Sequence, residues 1–183
     1  MKAIRDFRIS AAVAAFLLTL AVALGGFSLY QRLGINQPIV RDMTAIQGVA
    51  GVTLDRSSQI VTVQVQLGRV DDLKSVYQQL DVKARQYLSD KPYQIKIADQ
   101  ADSTMTQAHD AMEMGIYQGI QENSYLWLND WYAKSARKQH YVGRIKIDDK
   151  RLYITLTDGK QDLYRVYDRL APNASGTGGT EQK

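Results

Sequence analysis

The chain has 183 residues, two histidines, His109 and His140, and no cysteine. Without cysteine there is no disulfide, thiol nucleophile, or cysteine-ligated zinc or iron–sulfur site. His109 and Glu113 stand one helical turn apart, a spacing that can hold a metal ion. One imidazole and one carboxylate do not complete a site, and no second pair accompanies them. The acidic pairs Asp71-Asp72 and Asp148-Asp149 have the composition of catalytic carboxylates. The first reads as a helix start, where acids complement the dipole, and the second as a turn. Ser57, Ser58 and Ser103 fall in turn or cap contexts, without the strand-to-helix elbow that exposes a nucleophile. Gly176-Thr177-Gly178-Gly179 follows the last patterned segment and is no phosphate loop, and Asn173-Ala174-Ser175 matches a glycosylation acceptor in form only. The residues thus assign no catalytic, cofactor or metal site, and an enzyme is not the expectation.

One group of side chains has the chemistry of a contact surface. Lys134, Arg137, Lys138, His140, Arg144, Lys146, Lys150 and Arg151 follow the aromatic segment Tyr125, Trp127, Trp131 and Tyr132. Cations beside exposed aromatics can rest on an anionic lipid surface or grip a polyanion. The simpler reading, and the one expected here, is a solvated helix C-terminus whose cations complement the dipole, with the aromatics in the core.

The elements that carry these residues begin with an apolar run at 9–30, ISAAVAAFLLTLAVALGGFSLY, that contains no charged side chain. At about 1.5 Å per residue such a helix crosses a bilayer core of roughly 30 Å. Lys2, Arg5 and Arg8 precede it, whereas Arg32 and Arg41 are spread out beyond it, so the bias places the N-terminus in the cytoplasm and the rest outside the cell membrane. A cleaved signal peptide is the rival reading. Apolar character through Leu24, Phe27, Leu29 and Tyr30 favours a retained anchor. The expected division is a flank at 1–8, an anchor at 9–31, an extracytoplasmic domain at 36–170 with possible halves 36–99 and 100–170, and a disordered tail at 171–183. The formal net charge of +4 comes partly from the flank, so nucleic acid is not an expected partner.

Within the domain, Asn36-Gln37-Pro38 signals a helix start, and Ile39, Met43 and Ile46 recur at helical spacing until Gly48. Residues 52–54 and 60–67 read as strands, the second with Val61, Val63, Val65 and Leu67 on a buried face and Thr62, Gln64 and Gln66 on a polar one. Asp71 reads as a cap, a helix runs from there to about Ser89, and Tyr93, Ile95 and Ile97 mark a third strand. A single long helix is expected over 104–139, with Met105, Met112, Ile116, Ile120 and Trp127 as its buried stripe. Gly115 and Gly119 lie four apart on it and invite close approach by another backbone. A hairpin around Asp148-Asp149-Lys150 and a final amphipathic helix carrying Leu163, Val166, Tyr167 and Leu170 complete an α+β pattern.

Over residues 38–99 the order helix, strand, strand, helix, strand, with Gly48-Val49-Ala50-Gly51-Val52 leading into a valine-rich strand, resembles the ring-building-motif domains of secretion and sporulation channels. It is nearly as similar to alkaline-shock-type and other KH-like modules, although no basic Gly-x-x-Gly loop is present. The resemblance implies a wedge-shaped domain that stacks against copies or relatives of itself. The expected function is therefore a non-enzymatic assembly or interaction subunit of an envelope complex, associating with the lipid bilayer and with itself or another envelope protein. Its candidate contacts are Gly115, Gly119, Thr62, Gln64, Gln66, Trp127, Trp131, Arg137, Lys138, Arg144 and Lys146. The alternative is an extracytoplasmic sensor that binds a ligand or wall polymer among the aromatics, for which a pocket lined by them is the sign.

Overall fold

The computed structural model describes residues 19–20, 37–88, 91–98 and 100–169. Apart from Thr19 and Leu20, the expected anchor lies outside the described residues, as do the flank and the tail. Among the described residues no helix is long and apolar enough to cross a membrane.

The fold is α+β, with four described helices and two three-stranded sheets. The first half runs α1 (Gln37–Thr44), β1 (Val49–Asp55), β2 (Val61–Leu67), α2 (Leu73–Leu88) and β3 (Tyr93–Ala98). The expected order of elements over this stretch is the order observed. Sheet A has the order β1-β2-β3, with β1 antiparallel and β3 parallel to β2. Gly48, at φ +91°, turns the chain from α1 into β1 in a backbone region that β-carbons disfavour. Strict alternation in β2 sends Val61, Val63, Val65 and Leu67 into a core shared with Ile39 and Met43 of α1 and Val76, Tyr77 and Leu80 of α2.

The second half runs α3 (Ser103–Gln121), α4 (Tyr125–Lys138), β4 (Val142–Ile147), β5 (Arg151–Thr157) and β6 (Asp162–Asp168), and the strands form an antiparallel meander, sheet B. Two expectations are corrected here. The single helix over 104–139 is a helical hairpin, because Asn123 takes φ 53° and the Ser124 amide returns to the Gly119 carbonyl, ending α3 one turn before α4 starts. Asn tolerates this left-handed conformation better than most residues, so Asn123-Ser124 does the work of a glycine stop. The expected C-terminal helix is strand β6, reached through a turn in which Gly159 sits at φ +91°. Leu163 and Tyr167 face one side of sheet B while Tyr164 and Val166 face the other, and both sides are packed. A strand apolar on both faces mimics a helical stripe, and its aromatic and β-branched content is the better guide.

Sheet B is therefore covered twice. Leu152, Ile154, Leu156 and Leu163 meet Met112, Ile116, Leu128 and Tyr132 of α3 and α4. Tyr153, Tyr164 and Val166 join the core of the first half. Polar bonds fasten α2 to the β4–β5 turn: the Lys74 ammonium donates to the Ile147 carbonyl at 2.8 Å, and the Gln78 amide donates to Asp148 Oδ2 at 2.9 Å. Tyr153 donates to the same oxygen at 2.8 Å, and the Lys150 and Arg151 amides donate to Asp148 Oδ1 at 2.9 and 2.7 Å. Burial alone would raise the Asp148 carboxyl. These donors outweigh it and hold the group at about 2.

A carboxyl that titrates lower when folded contributes stability above its unfolded value of about 3.9 and loses it as the pH falls toward its folded value. Asp148→Asn should lower stability by about 1 kcal/mol at neutral pH, since Asn accepts from the amides but cannot serve both Tyr153 and Gln78 as the carboxylate does. Thermal unfolding of the full chain in detergent should show that difference shrinking below about pH 4 and vanishing near pH 2.

Candidate interaction surfaces

The sheet A face turned away from the core is polar by register. Gly51, Gln66 and Ala98 are cross-strand partners, followed by Thr53, Gln64 and Lys96, and then by Asp55, Thr62 and Gln94. Because side chains alternate, these three rungs lie opposite the valines of β2. Gln64 and Gln66 are exposed, whereas Thr62 is only 7% exposed and accepts a bond from the Gln94 amide at 2.8 Å. Small side chains at Gly51 and Ala98 leave a shallow trough of about 280 Å³, lined also by Val52, Thr53, Gln64 and Gln66.

Gly115 and Gly119 are occupied within the chain. A β-carbon on Gly119 would lie 2.8 Å from Cβ of the fully buried Leu128, and one on Gly115 would lie 2.2 Å from the end of the Trp131 ring. The close approach expected at these glycines is that of α4. Both glycines thus serve contacts within the chain, and Gly119 is buried by them. Gly143 plays the matching part on β4, where a β-carbon would lie 2.7 Å from the Tyr132 ring and 2.8 Å from Ala136.

The aromatics separate into two environments, contrary to the expectation that all lie in the core. Tyr132 is fully buried, with its hydroxyl 3.2 Å from His109 Nδ1, and His109 Nε2 is 2.9 Å from the Tyr167 hydroxyl. This buried polar chain links α3, α4 and β6, and burial pushes the Tyr132 hydroxyl well above its ordinary value. Tyr125 is partly buried, under the Arg169 guanidinium. Trp127, expected in the buried stripe, is instead 43% exposed and stacks on the partly buried Trp131. Leu128 takes the inward position, because the turn at 122–124 resets the helical phase.

The basic group also divides. Lys146 pairs with Asp72 at 2.9 Å, and Arg151 contacts Asp81 at 3.5 Å and lies over the Tyr77 ring, so both fasten the halves together. Arg144 is exposed and lines a cleft of about 150 Å³ between the halves, with Arg69, Lys146, Asp71, Asp162, Tyr153, Thr155 and Thr157. With Asp72 counted beside Lys146, three cations face three carboxylates there. The cleft therefore has no net charge to favour an anion. Arg137 and Lys138 are exposed at the C-terminus of α4, where cations complement the dipole. Among the described residues no cluster of three or more His, Cys, Asp or Glu gathers as metal ligands.

Sequence reasoning passed over two polar networks, His109–Tyr132–Tyr167 and Asp81–Tyr93–Arg85–Arg151. The available signal was Asp81 standing within an apolar helical stripe. A buried carboxylate there requires partners, and Tyr93 donates to it at 2.9 Å.

Two alanine variants should behave differently although each removes about 1 kcal/mol of helical glycine penalty. Gly119→Ala must displace Leu128 near its backbone and should lower stability by about 1–3 kcal/mol. Gly115→Ala needs only the Trp131 ring to swing outward, so stability should be nearly unchanged while the tryptophan emission shifts red. Chemical unfolding followed by fluorescence reads both.

No protein-family model, curated protein or solved structure matched the chain in the comparisons.

Proposed function

We propose that the chain is a single-pass, membrane-anchored, non-enzymatic assembly subunit of an envelope complex, whose extracytoplasmic α+β domain meets a second copy through the open face of sheet A. The apolar run at 9–30 with its basic flank supports the anchor and its direction. The element order of the first half supports the likeness to ring-building and KH-like modules.

The observation that carries the reading is the contrast between the two sheets. Sheet B is packed by side chains on both faces, whereas one face of sheet A is packed and the other presents Thr53, Gln64, Gln66, Gln94 and Lys96 with no described element over it. Asp55 and Lys96 stand on opposite edge strands of that face. One acid and one base so placed suit a two-fold pairing in which each meets the other's counterpart.

The sensor reading has less support. Its sign was a pocket among Tyr125, Trp127, Trp131 and Tyr132, but Tyr132 is in the core and the tryptophans stack on each other.

Light scattering after size exclusion on the full chain in detergent should give a defined oligomer that persists on dilution through the micromolar range. Replacing Gln64→Arg and Gln66→Arg together should convert it to monomer without changing the thermal midpoint, because both side chains are exposed. A monomeric parent, or an oligomer unaffected by the pair, would remove this face as a contact between copies.

A further inference from the structure

The chain's two tryptophans, Trp127 and Trp131, lie one turn apart on α4 with ring centroids 5.6 Å apart and planes at 17°. Leu126 beside them is 89% exposed. At 100° per residue, Trp127, Trp131, Lys134 and Lys138 fall within about 60° of one another around the helix, away from the inward Leu128, Tyr132 and Ala136. Arg137 flanks the row, and Asp130 is the acid on this side of α4. Lys134, Arg137 and Lys138 are exposed and form no ion pair among the described residues. An apolar surface left exposed beside three cations and the one acid Asp130 calls for an occupant that is apolar at one depth and anionic at another.

We infer that α4 rests along an anionic lipid surface, with Trp127, Trp131 and Leu126 at the level of the headgroups and acyl boundary and Lys134, Arg137 and Lys138 on the lipid phosphates. Tryptophan's apolar body and polar N–H favour that depth, and lysine stems reach from it to the charged layer. Charge complementarity selects an anionic leaflet. Only residues 31–36 separate the apolar run from α1, so an extended connection spans at most about 20 Å, and the domain is tethered within reach of the bilayer. This inference rests on the anchor reading, and it assigns α4 to lipid while leaving sheet A to the second copy.

Because both tryptophans are on α4, their fluorescence reports this face alone. The full chain is reconstituted into vesicles of phosphatidylcholine, or of equimolar phosphatidylcholine and phosphatidylglycerol, each with brominated acyl chains, and flotation scores anchoring separately. The chain should float with both vesicles, with its tryptophans quenched strongly only in the anionic ones. Lys134→Glu with Lys138→Glu, or about 0.5 M salt, should reduce that quenching at least about twofold without altering flotation. Flotation without quenching would overturn the inference and leave the anchor standing. So would emission shielded in proportion to protein concentration but insensitive to bromine, which would make the face a protein contact. Failure to float would overturn the anchor and the inference together.

Discussion

Sheet B packs apolar side chains on both faces, open only where β4 borders the cleft, and the placement of everything else follows from that. β5 sends Leu152, Ile154 and Leu156 toward α3 and α4, and Tyr153 toward α2. A three-stranded meander with apolar side chains on both sides is stable only between two layers, so α2 must serve sheet A and sheet B at once. Tyr164 marks the seam. Its hydroxyl receives the Val70 amide at 2.8 Å and donates to the Gly68 carbonyl at 3.2 Å, and burial pushes it up to about 12, which keeps it a neutral donor at any ordinary pH.

The same seam explains where the charges went. Lys146, Arg151, Asp72 and Asp148 look like surface residues in the sequence, yet each, like Asp81, is bonded across or beside the contact between α2 and sheet B. A polar contact of this kind fixes orientation more than it adds stability, because partly exposed ion pairs contribute little after screening. It also engages Lys146 and Arg151, whereas Arg144 stays exposed among the carboxylates of the cleft. Among the described residues, the α4 row is a basic surface without close ion pairs and the polar face of sheet A is an open sheet surface.

The first half was legible because one-sided burial writes a clean period into the sequence. Val61, Val63, Val65 and Leu67 alternate with Thr62, Gln64 and Gln66, and Leu73 to Leu88 keep one helical stripe. The second half hid two features for opposite reasons. β6 is buried on both faces, so Leu163, Tyr164, Val166 and Tyr167 satisfy a helical period as well as a strand. The α3–α4 turn contains neither proline nor glycine and depends on the left-handed tolerance of Asn123. The contact candidates divide by the same logic. Gln64 and Gln66 were readable from alternation alone, whereas the fate of Gly115 and Gly119 depended on which helix came back over them. The exposure of Trp127 depended on a phase shift at a turn the periodicity did not reveal.

Among the described residues two open surfaces differ in chemistry, an amide-rich sheet face that we propose for a second copy and a tryptophan–lysine helix face that we propose for lipid. Disulfide cross-linking in a reconstituted bilayer tests this division most directly, since the native chain has no cysteine to compete. A single Gln66→Cys chain should form a covalent dimer under mild oxidation, and a single Lys134→Cys chain should not. Equal products from both, or product only from the Lys134→Cys chain, would contradict the assignment of sheet A to assembly and α4 to the membrane.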